Sequence, residues 1–479
     1  MKKIISAVLV ALLTLGVLAF AGCGYTEIDK EALGNKVLAV VNGENILRKE
    51  WSQVYSYYEY MYINYYGYTK EKNAEAFEKL KTQVLDSLIN QKIWEQKAKA
   101  AGFFEYTQEQ RDEARKEVEE EMNKSIEDTA KTLYEAVKGQ EGAKEMDYYR
   151  GLAKEQYEAN LAKNGSSVDK KIEDKLKEKA LNRYKEDNLK DVSVLEADII
   201  SAYNELVKKQ TEDFIGDGDE KAYDKFVKAW NNGDNMALIL DGYSLVQHIL
   251  IKYDKETGDK VTSTAKTLSE AESAKNTAQE KMDKLKKELA ELTDETKKAD
   301  KQKEIDEQDK VLEECTAKYN DAKLEHHKAR EAAEAAIREK AQEVLNSVKD
   351  ADEAKFIEVM LDKSEDTGMA DEETAKKGYL VGKEDGMMTE FHDGAVALEK
   401  DGQISDLVAT DYGFHIIRRI KALEERTGDN KVSYTELKEA LQKELTDTAK
   451  NEKWTKNQEE WRTAADVKIN KQWLKDYDT

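Results

Sequence analysis

The chain has 479 residues, of which 37% are charged, and its formal net charge at pH 7 is −23. An acidic excess of this size, without a long basic run, excludes a typical nucleic-acid binder, because it repels the phosphate backbone. The same acidity keeps a protein soluble. The composition is therefore that of a soluble, helix-rich protein that does not bind nucleic acid.

The first residues have the layout of a secretory signal. Two lysines precede an apolar stretch over residues 4–20. We predict a signal peptide over residues 1–22, followed by a short polar tether over residues 23–35. An uncleaved membrane anchor is the alternative, because the apolar stretch is nearly long enough to span a bilayer.

The motif Ala21-Gly22-Cys23 at the end of this stretch resembles a bacterial lipobox. The resemblance implies that Cys23 is diacylated and becomes the first residue, on the extracytoplasmic face of the bacterial cell membrane. Two or three acyl chains, at about 0.8 kcal/mol per buried methylene, would hold the protein firmly on that membrane. Cys315, the other cysteine, would then have no disulfide partner.

Residues 36–236 are predicted to form a mainly helical domain. Residues 37–42 (VLAVVN) indicate a strand, and residues 46–51 indicate the start of a helix. A later helix keeps its apolar residues at three- and four-residue spacing, at Phe77, Leu80, Val84, Leu88, Ile93, Trp94 and Ala98. Residues 108–210 are charged and predicted to be helical.

Eight tyrosines lie between Trp51 and Tyr68, too many for one helix face to bury. Helical spacing predicts that four residues point inward: Val54, Tyr58, Met61 and Tyr65. Tyrosine offers a large apolar area and a hydroxyl at low entropic cost, which suits the weak binding of varied unfolded chains. We therefore hypothesise a client-binding surface on the other tyrosines, notably Tyr55, Tyr62 and Tyr66. Ordinary amphipathic packing is the alternative.

Two segments, residues 245–252 (LVQHILIK) and residues 409–419 (ATDYGFHIIRR), each place one histidine in an alternating apolar run. Such a run predicts a buried strand. His248 and His415 are two of only five histidines in the chain, and both fall in a small predicted domain over residues 237–422. The alternative to a functional pair is a pair of hydrogen-bonded core histidines that hold two strands together.

Residues 262–328, between these two segments, carry an apolar heptad pattern. The pattern predicts an antiparallel coiled-coil hairpin that turns near residues 293–300, with arms at least about 35 Å long. Cys315 and His326 occupy seam positions, so we interpret Cys315 as a core residue rather than a nucleophile. His326 and His327 are interpreted as structural, because adjacent helical residues point about 100° apart and do not easily share a metal. We predict no metal site and no cofactor.

Five short segments follow the hairpin in a characteristic order: Ser364-Glu365-Asp366, Lys377-Gly378-Tyr379-Leu380, Gly386-Met387-Met388-Thr389-Glu390-Phe391, residues 395–398 and Gly402-Gln403-Ile404-Ser405. With the two histidine segments, they resemble the parvulin family of peptidyl-prolyl isomerases. In that family the first and last strands of a small sheet pair at its centre and face two histidines towards each other. Residues 37–43 and 84–102 resemble the chaperone domain of PrsA and SurA, and residues 465–469 resemble its carboxy-terminal return.

The parvulin resemblance implies roles for nine residues. His248, His415 and Thr410 would form a hydrogen-bonded floor, and Asp366 would lie nearest the reacting carbonyl with an electrostatic role. The substrate's proline ring would bind in an apolar pocket made by Leu380, Met387 or Met388, and Phe391. Tyr412 is a further candidate for substrate binding.

The predicted fold class is α+β. A mainly helical chaperone domain is formed by residues 36–236 and 423–479, and a parvulin-like domain with a small antiparallel sheet is inserted into it. The predicted function is a membrane-anchored, extracytoplasmic foldase that acts on unfolded or newly secreted polypeptides with X-Pro bonds. A non-enzymatic holdase, whose parvulin fold serves client binding or homodimerisation, is the main alternative. A scaffold lipoprotein whose hairpin recruits a partner is the third.

Overall fold

The computed structural model describes residues 34–138, 144–216, 220–470 and 472. The chain divides into two compact units, one formed by the described residues of Met1–Val194 and Glu444–Thr479, the other by those of Leu195–Lys443. The predicted signal peptide and Cys23 lie outside the described residues. Within the described ranges, no helix has the length and apolar character needed to cross a bilayer.

In the first unit, chain order gives β1 (Val37–Val41), β2 (Glu44–Leu47), α1 (Arg48–Asn64), α2 (Ala74–Ala100), α3 (Gln108–Glu135), α4 (Met146–Lys163) and α5 (Val168–Leu189). The second unit contains α6 (Glu196–Phe214), α7 (Glu220–Asn232), β3 (Ser244–Lys252), α8 (Lys255–Glu291), α9 (Glu295–Val348), α10 (Glu353–Lys363), α11 (Glu372–Lys377), β4 (Tyr379–Val381), α12 (Thr389–Val396), β5 (Val408–Thr410) and β6 (Gly413–Ala422). Helix α13 (Tyr434–Ala464) begins in the second unit and ends in the first, and β7 (Val467–Ile469) closes the first unit.

A three-stranded antiparallel sheet, in the order β2-β1-β7, anchors the first unit. Strand β1 turns into β2 at Asn42 and Gly43, both of which have positive φ. On its other edge β1 pairs with β7, so that Ala39 lies opposite Ile469. The amino- and carboxy-terminal segments therefore form one domain, as the sequence predicts.

The tyrosine-rich helix α1 differs from its prediction at two positions. Tyr55 is only 1% exposed and its ring stacks on Trp51, with 4.7 Å between centroids, so Tyr55 belongs to the core and not to a client-binding surface. Tyr65 is predicted to point inward but is 70% exposed, because α1 ends at Asn64 and the helical spacing stops there. Tyr66 is also exposed, and its ring contacts that of the half-buried Tyr62 edge-on.

A four-stranded antiparallel sheet, in the order β4-β3-β6-β5, forms the centre of the second unit. The two long strands, β3 and β6, are paired at its middle; β3 is buried from Leu245 to Ile251, and β6 is buried from Gly413 to Arg418. Their register places His248 opposite Ile417 and Leu250 opposite His415. Since residues two apart on a strand share a face, His248 and His415 are diagonal neighbours on one face of the sheet.

Helices α6 and α7 pack with the sheet of the second unit. Phe214 and Phe226 lie in one cluster of buried residues with Tyr243, Leu245 and Leu380. The predicted boundary between residues 236 and 237 therefore falls inside this unit, because apolar residues on both sides of it share a core.

Helices α8 and α9 form the predicted antiparallel hairpin. The hydroxyl of Thr264 lies 3.1 Å from His326 Nδ1 near the base, and the side chain of Gln308 donates to Ala278 O farther along. The turn is shorter than predicted, because Asp294 caps α9 by accepting from two backbone N–H groups and the helix starts directly after it. Helix α9 runs for 54 residues without a break, from the turn to the sheet.

Candidate active site

The face of the sheet that carries the two histidines forms the candidate active site. The centroids of the His248 and His415 rings are 5.1 Å apart, their planes differ by 27°, and the two Nδ1 atoms lie 3.1 Å apart. Both side chains are nearly inaccessible, with 4% and 5% of their surface exposed. The two strands therefore hold the imidazoles in direct hydrogen-bonded contact, as the sequence predicts.

The pair is the middle of a chain of four hydrogen bonds. Tyr412 N–H donates to Thr410 Oγ1 over 3.1 Å, and Thr410 Oγ1 lies 2.8 Å from His415 Nε2. At the other end, His248 Nε2 lies 2.9 Å from Asp366 Oδ2. An ionised carboxylate only accepts, so we assign the Nε2 proton to His248 and the Nδ1 proton to His415. With this assignment each donor has one acceptor.

Asp366 reaches the pair from the turn after α10. It also accepts from the Tyr379 hydroxyl at 2.8 Å and from Gly368 N–H at 3.1 Å. The hydrogen bond from His248 holds the pKa of Asp366 well below its usual range; burial opposes this shift, and the Gly368 and Tyr379 bonds reinforce it. Asp366 is therefore an ionised anchor for His248, with both carboxylate oxygens engaged.

Burial, and after it the neighbouring His248, lower the pKa of His415 to about 3, while Asp366 acts in the opposite direction. His415 is therefore neutral at physiological pH. Burial, followed by the hydrogen bond to Asp366, raises the pKa of Tyr379, so that its hydroxyl keeps its proton and donates.

An apolar wall stands over the imidazoles. The Phe391 ring from α12 contacts His248 and His415 edge-on, with centroid distances of 5.0 and 5.2 Å. Met387 and Met388, in the segment before α12, are half-buried and pack against the same cluster as Phe391. Both methionines therefore lie where the sequence predicts a proline-ring pocket.

Leu380 does not lie with these residues. Its 2% exposed side chain belongs to the cluster of Phe226 and Leu245, whereas its neighbours Tyr379 and Val381 pack with Phe391. The assignment of Leu380 to the ring pocket is wrong because successive side chains of a strand point to opposite faces. Tyr379 takes the place expected for Leu380.

Tyr412 lies in the turn between β5 and β6, with 62% of its surface exposed. Its backbone N–H supports Thr410, and its carbonyl accepts from Tyr253 N–H. The structure thus gives Tyr412 a backbone contact to the site and leaves its side chain accessible.

Sequence reasoning missed two residues that shape the site. Ser364 Oγ accepts from Leu250 N–H at 3.0 Å and so ties the Asp366 turn to β3. Asp385 accepts from Gly382 N–H, from Met387 N–H and from His392 Nδ1, and so folds the loop that carries the methionines. The position of Asp385, two residues before the methionine, is a turn signal that could have indicated this role.

Among the described residues, no group of three His, Cys, Asp or Glu side chains is placed to hold a metal ion. His326 instead contacts Thr264 through Nδ1 and Asp411 through Nε2. His327 is exposed, and its Nε2 lies 3.4 Å from Glu331 Oε1 on the same helix.

Comparison with known domains finds a match in two segments of the chain. A model of the PPIC-type PPIase domain matches residues 317–421, and a model of the SurA-like N-terminal domain matches residues 1–123. The chain combines a SurA-like N-terminal domain with a PPIC-type rotamase domain. The match to the rotamase domain starts within α9 and therefore leaves out β3. In sequence, the hairpin lies between β3 and the matched residues. The structure pairs β3 with β6 and brings His248 into the rotamase site.

Among characterised relatives, foldase protein PrsA of Clostridium botulinum (strain 657 / Type Ba4) is 30% identical over 187 residues, which are 38% of this chain and 54% of that protein. Foldase protein PrsA of Clostridium acetobutylicum is 37% identical over 102 residues, or 20% of this chain and 30% of that protein. The chain thus spans about half the length of the first of these relatives. The solved structure of peptidylprolyl isomerase PrsA from Bacillus cereus has 17% sequence identity to this chain. The match covers 92% of this chain and 97% of that chain. Its TM-score is 0.17, which is too low to establish a common overall arrangement.

Proposed function

We propose that this protein is a peptidyl-prolyl cis/trans isomerase and chaperone that assists the folding of secreted proteins. The observation that carries the proposal is the contact between the His248–His415 pair, anchored by Asp366 and Thr410, and the apolar wall of Phe391. The relatives named foldase PrsA support the combination with a chaperone domain. Because the chain spans only about half of the first such relative, the activity is inferred from the site.

Rotation about an X-Pro bond requires the loss of amide resonance, and no covalent bond has to form or break. An enzyme therefore needs only to grip the proline ring and to disfavour the planar amide. Phe391 and the two methionines supply an apolar contact for the ring and remove water from the amide, whose polar ground state water stabilises.

The hydrogen-bonded floor supplies fixed dipoles beneath this wall. Asp366 already accepts from three donors, so it is better suited to fix the imidazoles than to attack a carbonyl. Its role in the proposal is to hold the His248 tautomer, and through it the orientation of His415 and Thr410.

Lipid attachment at Cys23 would place the enzyme on the outer face of the cell membrane, where newly exported chains emerge unfolded. The support for this part is the signal-like sequence and the Ala21-Gly22-Cys23 motif. Metabolic labelling with a fatty-acid analogue tests it. Label in the wild type that is lost in Cys23→Ala supports the anchor, and an unlabelled wild type contradicts it.

A protease-coupled assay on an X-Pro tetrapeptide, with the lipid-free chain from Gly24 onward, tests the isomerase. The chain contains no proline, so none of its own bonds contributes to the signal. We expect acceleration by the wild type, and losses of about 10²-fold or more in His248→Ala and Phe391→Ala, as is usual when a positioned polar or binding group is removed. His327→Ala, which removes an exposed histidine outside the site, is the matched control and should behave as the wild type. No acceleration by the wild type, with suppression of client aggregation intact, would favour the holdase.

A further inference from the structure

Arg330 of α9 lies at the base of the helical hairpin and contacts two of the elements that carry the candidate site. Its Nη1 lies 2.6 Å from Glu390 Oε1, its Nη2 donates to Ala409 O over 3.1 Å, and its Nε lies 3.5 Å from Asp411 Oδ1. The side chain is 20% exposed, so water screens these contacts less than those of a surface pair. One guanidinium therefore joins three elements: the hairpin, helix α12 and the turn between β5 and β6.

These three partners of Arg330 adjoin the groups proposed to act on substrate. Glu390 immediately precedes Phe391, the ring that forms the apolar wall. Ala409 and Asp411 flank Thr410, whose hydroxyl bonds to His415. Arg330 therefore helps to set the distance between the apolar wall of Phe391 and the hydrogen-bonded floor of His415 and Thr410, although it belongs to neither.

Three more side chains of the hairpin base hold the same turn. Tyr253, just before α8, donates its hydroxyl to Thr410 O over 2.8 Å and its backbone N–H to Tyr412 O over 3.2 Å. His326 Nε2 lies 3.1 Å from Asp411 Oδ1, and Thr264 bonds to the other nitrogen of His326 and so links the two arms.

We propose that these four residues, Tyr253, Thr264, His326 and Arg330, form a hairpin base that positions the isomerase site, with Arg330 as the central positioning residue. The inference rests on the proposed isomerase function and adds a role for the insertion. The planar guanidinium can bond to a carboxylate and a carbonyl at once, which a lysine ammonium on a flexible stem does less well. Loss of the fork would remove the polar link between α12 and the turn and leave only the apolar packing of Val408 against the Phe391 cluster to hold them.

Two variants test the proposal by their kinetics, with the same X-Pro tetrapeptide used for every protein. Arg330→Gln and Glu390→Gln should each lower kcat by about tenfold with a smaller change in KM, because displacing groups by a fraction of an ångström weakens the transition state most. The double variant should lose little more than either single one, since both break the same contact. Lys328→Ala, on the same turn of α9, removes an exposed pair with Glu325 and is the matched control.

Imidazole resonances give a second readout that needs no activity. The chain has five histidines, so selective ¹⁵N-histidine labelling gives few signals. The signals of His248 and His415 should shift in Arg330→Gln and Glu390→Gln and stay in place in Lys328→Ala. Arg330→Lys keeps the charge and should shift the same signals by a smaller amount, which covers the case in which Arg330→Gln does not fold.

The two readouts separate the failure of this inference from that of the proposed function. If the wild type is inactive but its imidazole signals still shift in Arg330→Gln, the isomerase function is contradicted and the positioning role is kept. Unchanged kcat and unchanged signals in a folded Arg330→Gln protein would overturn the positioning role alone.

Discussion

At the scale of single residues, the site depends on the direction of its hydrogen bonds. Asp366 can only accept, and this fixes the proton on His248, then the proton on His415, and finally the orientation of the Thr410 hydroxyl. The two histidines could be assigned from sequence because each stands in an alternating strand. Tyr379 could not, because the choice between it and Leu380 depends on which face of a three-residue strand meets the wall.

We predict that His415 does not titrate between pH 5 and pH 8. Its pKa is lowered to about 3 because its ring is buried beside another imidazole, so the neutral form persists well below the usual histidine range. The ¹⁵N chemical shifts of its ring, followed across this interval, check the prediction. A midpoint for His415 near 6.5 would contradict the burial on which the assignment rests.

The same shift predicts a pH dependence of stability. The unfolded state binds a proton on His415 near pH 6.5, whereas the folded state does so only near pH 3, so the unfolded state carries more protons between these values. The free energy of unfolding should therefore fall as the pH drops from about 6.5 towards 3. Urea titrations at pH 7 and pH 5 measure the change, and a folded His415→Asn variant should lose less stability over this interval than the wild type.

We predict that Tyr379→Phe reduces isomerase activity without unfolding the protein. The substitution removes the 2.8 Å hydrogen bond to Asp366, and a bond to a charged group is worth about 1.5–3 kcal/mol. Asp366, which holds His248, would then have one hydrogen bond fewer to fix its own position, and kcat/KM should fall several-fold. Tyr148→Phe, at a half-exposed position of the first unit, is the control. Equal activity of the two variants would show that Tyr379 does not orient Asp366.

At the scale of elements, the pairing of the central strands and the return of β7 to β1 were expected from the family resemblance, whereas periodicity predicted the two histidine strands and the hairpin. These features repeat an apolar spacing over many residues, so a local signal identifies them. The end of α1 was harder, because nothing in the run of tyrosines marks Asn64 as its last helical residue. The prediction continued the helical spacing past Asn64, and so it placed Tyr65 on the buried face, although Tyr65 is exposed.

The exposed tyrosines near the end of α1 give a sharper version of the client-binding hypothesis. Tyr60, Tyr65 and Tyr66 are 57%, 70% and 61% exposed, and the Tyr60 and Tyr65 rings meet edge-on at 6.3 Å. Replacing all three by serine should weaken the suppression of client aggregation and leave isomerase activity on tetrapeptides unchanged. Light scattering of a denatured client measures the first effect. A triple variant at the exposed Leu195, Ile200 and Ile215 is a control for general loss of apolar surface.

At the scale of the whole chain, a long coiled coil has been added to a small isomerase domain. Only its base contacts the site, whereas the outer part, from Ala271 on one arm to Tyr319 on the other, makes its contacts within the hairpin. The sequence predicted the insertion from its heptads but gave no sign of the Arg330 contacts, because Glu390 and Ala409 are 60 and 79 residues away.

We therefore predict that the outer hairpin is dispensable for the chemistry. Deleting residues 272–318 and joining the arms by a short glycine–serine turn should leave kcat/KM within about twofold of the wild type, since distant sites act independently. A large loss of activity in a folded deletion variant would contradict the division into base and outer part. If secretion fails in cells although isomerase and chaperone activities persist, the scaffold alternative gains support.

The unbroken run of α9 from the hairpin into the sheet also bears on how the second unit folds. Strands β3 and β4 must meet across more than a hundred intervening residues, and a flexible loop of that length would slow their encounter. Once the two helices pair through near-neighbour contacts, they return the chain to the place it left, and the effective loop shrinks to the segment between the base of the hairpin and β4. Early pairing of the two helices would thus help to set the rate at which β3 and β4 find each other.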